Sequence, residues 1–62
     1  MIFVYYAYIR KRDKKLCHGV SMFDNINKAC RFIHMLKESK DKWFEYYSTD
    51  DPEINEELYQ KL

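Results

Sequence analysis

The sequence predicts a small α+β domain with the element order β-β-α-β-α. Three observations support this prediction: a β-branched and aromatic run at the start, a strongly periodic helix in the middle, and a capped acidic helix near the end. A chain of 62 residues has room for a single domain, residues 1–62. We expect a three-stranded sheet in strand order 2-1-3, with one main helix packed on one face and a short C-terminal helix.

The first two strands are predicted to form a hairpin. Residues 2–9 (IFVYYAYI) are apolar or aromatic without polar alternation, which is typical of a central strand covered on both faces. A charged turn, residues 10–15, surrounds Asp13. Residues 16–23 then form a second strand, in which Gly19 indicates a bulge or a close approach of another backbone.

The main helix is predicted immediately after this hairpin. Asp24 or Asn25 can accept hydrogen bonds from the free amides of its first turn. Five apolar residues recur at helical spacing and form one stripe: Ile26, Ala29, Cys30, Ile33 and Leu36. The opposite side carries Lys28, Arg31 and Met35, and residues 39–41 end the helix.

Residues 42–48 are predicted as the third strand. Strict alternation would place Trp43, Glu45 and Tyr47 on one face of the sheet, and Phe44 and Tyr46 on the other. A right-handed crossover makes this strand parallel to the second strand and leaves the first strand between them.

A short acidic helix is predicted to begin at Asp50-Asp51-Pro52-Glu53. Asp caps the first-turn amides, and Pro suits the first helical position. Its apolar stripe is narrow and consists of Ile54, Leu58 and Leu62. Such a short helix is unstable alone in water, so it must dock on its own sheet or on another molecule.

The charge is divided unevenly along the chain. Residues 1–42 carry a net charge of +6 and residues 43–62 carry −5, which leaves +1 overall. This division indicates either a basic binding face with an acidic tail or two halves that neutralise each other in the fold.

The cations follow the apolar start instead of preceding it as in a signal peptide, and residues 2–9 are too few to span a membrane. Two cysteines do not make a disulfide scaffold, so we expect a cytoplasmic protein with reduced thiols and no membrane partner.

The aromatic side chains of the sheet are the main candidates for a binding site. More rings are present than one amphipathic helix can shield, so we expect some to contact a partner. The predicted contact residues are Tyr6, Tyr8, Tyr46 and Tyr47, with Arg10, Lys11 and Arg12 as electrostatic anchors. Alternatively, the last helix or a second copy of the chain covers the rings. A third hypothesis is that rings beside cations stack the bases of a single-stranded nucleic acid.

Metal binding and catalysis depend on a single set of residues: Cys17, His18, Cys30 and His34. Cys17 and His18 point to opposite faces of a strand, no C-x-x-C pair exists, and Cys30 belongs to the apolar stripe. A chain of this size is expected to have little room for a pocket of ~300 Å³. We therefore predict no metal, no cofactor and no enzymatic activity.

The chain is rich in Lys and Tyr and contains one Gly and one Pro. In this composition it resembles short accessory proteins of phages and other mobile elements. The resemblance spans the whole chain, contains no motif, and implies a small regulatory protein that binds a host or defence protein. Self-association is also expected, because a chain this short buries only about 60% of its unfolded surface. Single-stranded nucleic-acid binding and a purely structural homodimer are the alternatives.

Overall fold

The computed structural model describes all 62 residues and shows the five elements in the predicted order. They are β1 (Ile2–Arg10), β2 (Lys15–Phe23), α1 (Ile26–Glu38), β3 (Lys42–Thr49) and α2 (Pro52–Lys61). The strand order is β2-β1-β3, as predicted. Both outer strands run antiparallel to β1, so β2 and β3 point in the same direction on either side of it. Neither helix has the length and apolar character needed to cross a bilayer.

Gly19 allows a large ring to lie across the hairpin. It pairs directly with Tyr6, and a Cβ atom at this position would overlap the Tyr6 phenol. The Tyr6 ring therefore crosses β2 at Gly19 and meets Phe32 of α1 edge-on, with ring centroids 5.1 Å apart. The predicted close approach at Gly19 is present, but a side chain makes it rather than a backbone.

Both helices pack on the same face of the sheet. The core cluster joins Val4 of β1, Ala29 and Ile33 of α1, and Leu58 of α2, and all four are fully buried. Asn25 caps α1 by accepting a hydrogen bond from the Lys28 amide at 2.9 Å. The last helix thus docks beside α1 on its own sheet, and it leaves the second face of the sheet uncovered.

A side-chain amide fastens α2 to the end of β3. Asp51 caps α2 by accepting from the Glu53 amide at 2.9 Å. One turn later, Asn55 accepts from the Thr49 amide at 2.7 Å and donates to the Thr49 carbonyl at 3.1 Å. Asn55 therefore gives the last residue of this edge strand the two hydrogen bonds that a further strand would otherwise supply.

We predict that Asn55→Ala lowers the free energy of unfolding by about 1–3 kcal/mol, because it leaves the backbone amide of the buried Thr49 without a partner. Asn27→Ala is the matched control, since Asn27 is an exposed residue of α1, and we expect it to change stability by less than about 0.5 kcal/mol. Urea unfolding followed by circular dichroism measures both variants. Equal stability of the two would show that the Asn55 bridge contributes nothing.

Candidate interaction face of the sheet

A β-bulge in β3 determines which rings lie on each face. Ala7 pairs with Tyr46 and Tyr8 pairs with Phe44, so Glu45 has no partner on β1. One extra residue reverses the alternation that follows it. Phe44 and Tyr47 therefore both pack against the helix-covered core, whereas Trp43 and Tyr46 pair with residues of the opposite face. The prediction of strict alternation along this strand is wrong for that reason.

The uncovered side of the sheet, here called the open face, is built from four rows of paired residues. Directly paired residues share a face, so the strand register defines each row. Row 1 contains Phe3 and Met22, row 2 contains Val20, Tyr5 and Ser48, row 3 contains His18, Ala7 and Tyr46, and row 4 contains Leu16, Ile9 and Trp43.

The open face is apolar and exposed. Six of its large side chains are between 45% and 59% exposed: Tyr5, Leu16, Val20, Met22, Trp43 and Tyr46. In row 3 the rings of His18 and Tyr46 approach edge-on at 6.5 Å and close over Ala7, which is fully buried between them. None of the row positions carries a charged side chain. The open face therefore has the chemistry of an interface core, which is depleted in charge and rich in aromatic residues and Met.

Of the four tyrosines predicted as contact residues, only Tyr46 lies on the open face. Tyr6 packs against Phe32, Tyr8 stacks beside Tyr6 at 6.2 Å, and burial raises the pKa of the Tyr47 phenol. All three are half-buried on the side that the helices cover. A partner on the open face would contact Tyr46 without contacting these three.

Sequence reasoning missed most of the open face. Leu16, Val20 and Met22 occupy alternate positions of β2, and this period of two was the signal that could have identified them. Trp43 was missed because its position relative to Tyr46 depends on the bulge.

The three predicted cationic anchors have different surroundings. Arg10 donates two hydrogen bonds to Asp13, at 3.0 and 2.7 Å, and these lower the pKa of the Asp13 carboxyl. Lys11 lies with its Nζ 5.2 Å from the centroid of the Trp43 ring, at a corner of the open face. Arg12 is exposed in the turn. Lys11 is thus the anchor that borders the open face, whereas Arg10 is engaged within the turn.

The structure does not bring the candidate metal and catalytic residues together. Cys17 and Cys30 are free thiols, and no three His, Cys, Asp or Glu side chains converge on one point. Two clefts have volumes of about 370 and 460 Å³, so the expectation that a chain this small lacks such volume is wrong. Neither cleft is lined by His or Cys, so neither offers the pairing of nucleophile and base that was considered.

A polar cluster holds the basic turn against the start of β3. The Asp41 carbonyl accepts from the Lys11 amide at 3.1 Å, and the Asp41 carboxylate accepts from Ser39 and from Lys42 Nζ, the latter at 2.9 Å. Lys42 Nζ also lies 5.3 Å from the centroid of the Tyr8 ring. Hydrogen bonds from Ser39 and then Lys42 lower the pKa of Asp41 from 3.8 to about 2.

Comparison with known proteins found no counterpart. No family model, curated protein or solved structure matches the chain significantly.

We predict that Asp41 titrates with a pKa of about 2 in the folded protein and that Ser39→Ala moves this pKa upward towards 3.8. Because the folded pKa lies below the ordinary value, the stabilising contribution of Asp41 is complete above the unfolded pKa and is lost as the pH falls through about 2. Carboxyl carbon NMR of both proteins measures the two titrations. A wild-type pKa near 3.8 would show that Ser39 and Lys42 do not hold the charged form.

Proposed function

We propose that this chain is a non-catalytic interaction protein whose open face binds the surface of another protein. The single observation that carries the proposal is the exposure of four uncharged, largely apolar rows on the side of the sheet that neither helix covers. The surroundings of the Cys and His side chains support the non-catalytic part, since neither cleft contains one of them.

The size of the open face supports a macromolecular partner. Nine-residue strands and a three-stranded sheet give a face of roughly 30 by 14 Å at the usual spacings of about 3.3 Å per residue and 4.8 Å per strand. The resulting area of roughly 400 Å² falls within the range of the largest apolar patch on a typical monomer, and patches of that kind are often functional. A small-molecule ligand needs a concave site, whereas a flat face of this area suits another protein surface.

The absence of charge within the rows favours a protein over a nucleic acid. A nucleic-acid site depends on cations that follow the phosphates, and Lys11 is the cation that the structure places against a ring of the open face. The composition of the whole chain supports a regulatory role, in which the protein modulates a host or defence protein.

We expect a photo-reactive phenylalanine analogue at Val20, in row 2, to form a covalent adduct with a protein when the chain is expressed in its native cells. The same analogue at Met35 is the matched control, since Met35 is a similarly exposed apolar residue on α1. We expect little or no adduct there. Mass spectrometry identifies the cross-linked chain. Equal yields at the two positions, or no protein adduct at Val20, would contradict the proposal.

Single-stranded nucleic-acid binding is the second candidate function. It is favoured by the Lys11 ammonium over Trp43 and by the further cations of the same turn: Arg12, Lys14 and Lys15. Rings beside cations stack bases with little sequence preference.

If this second function operates, Trp43→Ala weakens the binding of mixed oligonucleotides by about 5–150-fold, since stacking contributes about 1–3 kcal/mol per base. The affinity should also fall steeply with salt, because phosphate contacts release counterions. Fluorescence anisotropy at low and physiological salt measures both effects, with Tyr59→Ala, on the exposed surface of α2, as the control. No binding at low salt would eliminate this function.

A further inference from the structure

Two copies of the open face are complementary to each other when the strands of one sheet run antiparallel to those of the other. From this we propose that the protein bound on the open face is a second copy of this chain, packed face to face with the strands of the two sheets antiparallel. The inference rests on the function proposed above and specifies its partner.

The complementarity follows from a two-fold axis that lies in the interface and runs across the strands. Such an axis places each strand over the same strand of the second copy. Because it also reverses the strand direction, row 2 of one copy lies on row 3 of the other. Tyr5 then faces Ala7 of the second copy, and Tyr46 faces Ser48, so that each tyrosine ring of rows 2 and 3 meets a small side chain. On β2, Val20 faces His18 of the second copy. Facing sheets lie about 10 Å apart, and at that spacing large residues must interdigitate with small ones.

The outer rows contribute contacts between large apolar side chains. Row 1 meets row 4, which places Phe3 on Ile9 and Met22 on Leu16 of the second copy. Row 1 has no residue on β3, so Trp43 of row 4 lies at the edge of this packing.

The alternative two-fold axis, parallel to the strands, fits poorly. It would place each residue of β1 on its own copy, so that Tyr5 meets Tyr5 and Ala7 meets Ala7. Large side chains would then overlap in row 2, and small side chains would leave a void in row 3. Overpacking and cavities are both destabilising.

The charges at the two ends of the sheet favour the same antiparallel arrangement. The hairpin end carries Lys11, Arg12, Lys14 and Lys15, whereas the opposite end, where β3 leads into α2, carries Asp50, Asp51 and Glu53. Turning one sheet end for end brings each basic end over an acidic end, and Lys11 beside Trp43 comes close to Asp50 of the second copy. The parallel arrangement would place the two basic ends together, which opposes association.

The area is sufficient for a specific dimer of modest affinity. Once the depth of the side chains is included, two open faces of this size bury on the order of 1,000 Å² in total, which is the lower limit for specific interfaces. We therefore expect a reversible dimer that forms at micromolar to sub-millimolar concentrations.

The arrangement can be tested on the unaltered chain. An isotope-filtered NOESY spectrum of a mixture of labelled and unlabelled protein detects contacts between copies only. We expect contacts of Leu16 with Met22 and of the Tyr5 ring with Ala7. Contacts of Leu16 with Trp43 would indicate the parallel arrangement and would overturn the proposal, as would contacts that involve only α1 or α2.

A matched pair of variants provides the second test. Val20→Lys places a cation in the proposed interface, opposite His18 of the second copy and with no acid in any row to pair with it, so we expect the dissociation constant of the dimer to rise about 30-fold or more. Met35→Lys on α1 should leave it unchanged, since Met35 is similarly exposed but lies outside the open face. Sedimentation equilibrium gives the masses, for which one chain contributes 7.7 kDa, and circular dichroism confirms that both variants are folded.

The outcomes separate this inference from the proposed function. A wild-type monomer at NMR concentrations, together with a Val20 adduct to a different protein, would overturn the second copy as partner and leave the proposed function intact. A monomer that forms no adduct at Val20 would overturn both. A dimer that Val20→Lys dissociates and Met35→Lys does not, with contacts between Leu16 and Met22, would support both.

Discussion

The contact of Leu58 with Val4, Ala29 and Ile33 brings α2, β1 and α1 together on one side of the sheet. Because α2 is too short to be stable in isolation, it needs this site beside α1. Because it docks there, both helices pack on the same face of the sheet, and no element of residues 1–62 remains to cover the opposite face. The open face is therefore a direct consequence of where the core forms.

The bulge at Glu45 determines which face of the sheet each aromatic side chain of β3 occupies. With a regular strand, Phe44 and Tyr47 would point to opposite sides and only one of them could pack on the core. The extra residue lets both do so and places Trp43 and Tyr46 together outside. A bulge on an outer strand also disturbs the row of free backbone groups that another chain could pair with, and Asn55 occupies those of Thr49. Both features make it harder for another chain to add a strand at the β3 edge, whereas neither of them covers the open face.

The elements and the strand order could be predicted from the sequence, whereas the features that depend on the exact register between strands could not. The stripe of α1 and the caps at Asn25 and Asp51 follow from helical spacing and capping chemistry, and the structure confirms them. The faces of β3 could not be predicted, since the bulge exists only in the register with β1. The burial of Tyr6 likewise depends on Gly19, a cross-strand partner thirteen positions away that leaves space for the ring.

The apolar residues of β1 on both of its sides give a final reason to expect a second layer on the open face. Val4 and Ile2 belong to the side that the helices cover, whereas Phe3 and Ile9 belong to the open side. The first pair is explained by the helices of the same chain. The second pair has no covering element in the single chain, in which only seven of 62 residues are buried, and the stability of a chain this small is marginal unless more apolar surface is buried. Packing two open faces together would turn each two-layer protomer into half of a four-layer α/β/β/α sandwich, in which the central strand is covered on both sides as its sequence predicts.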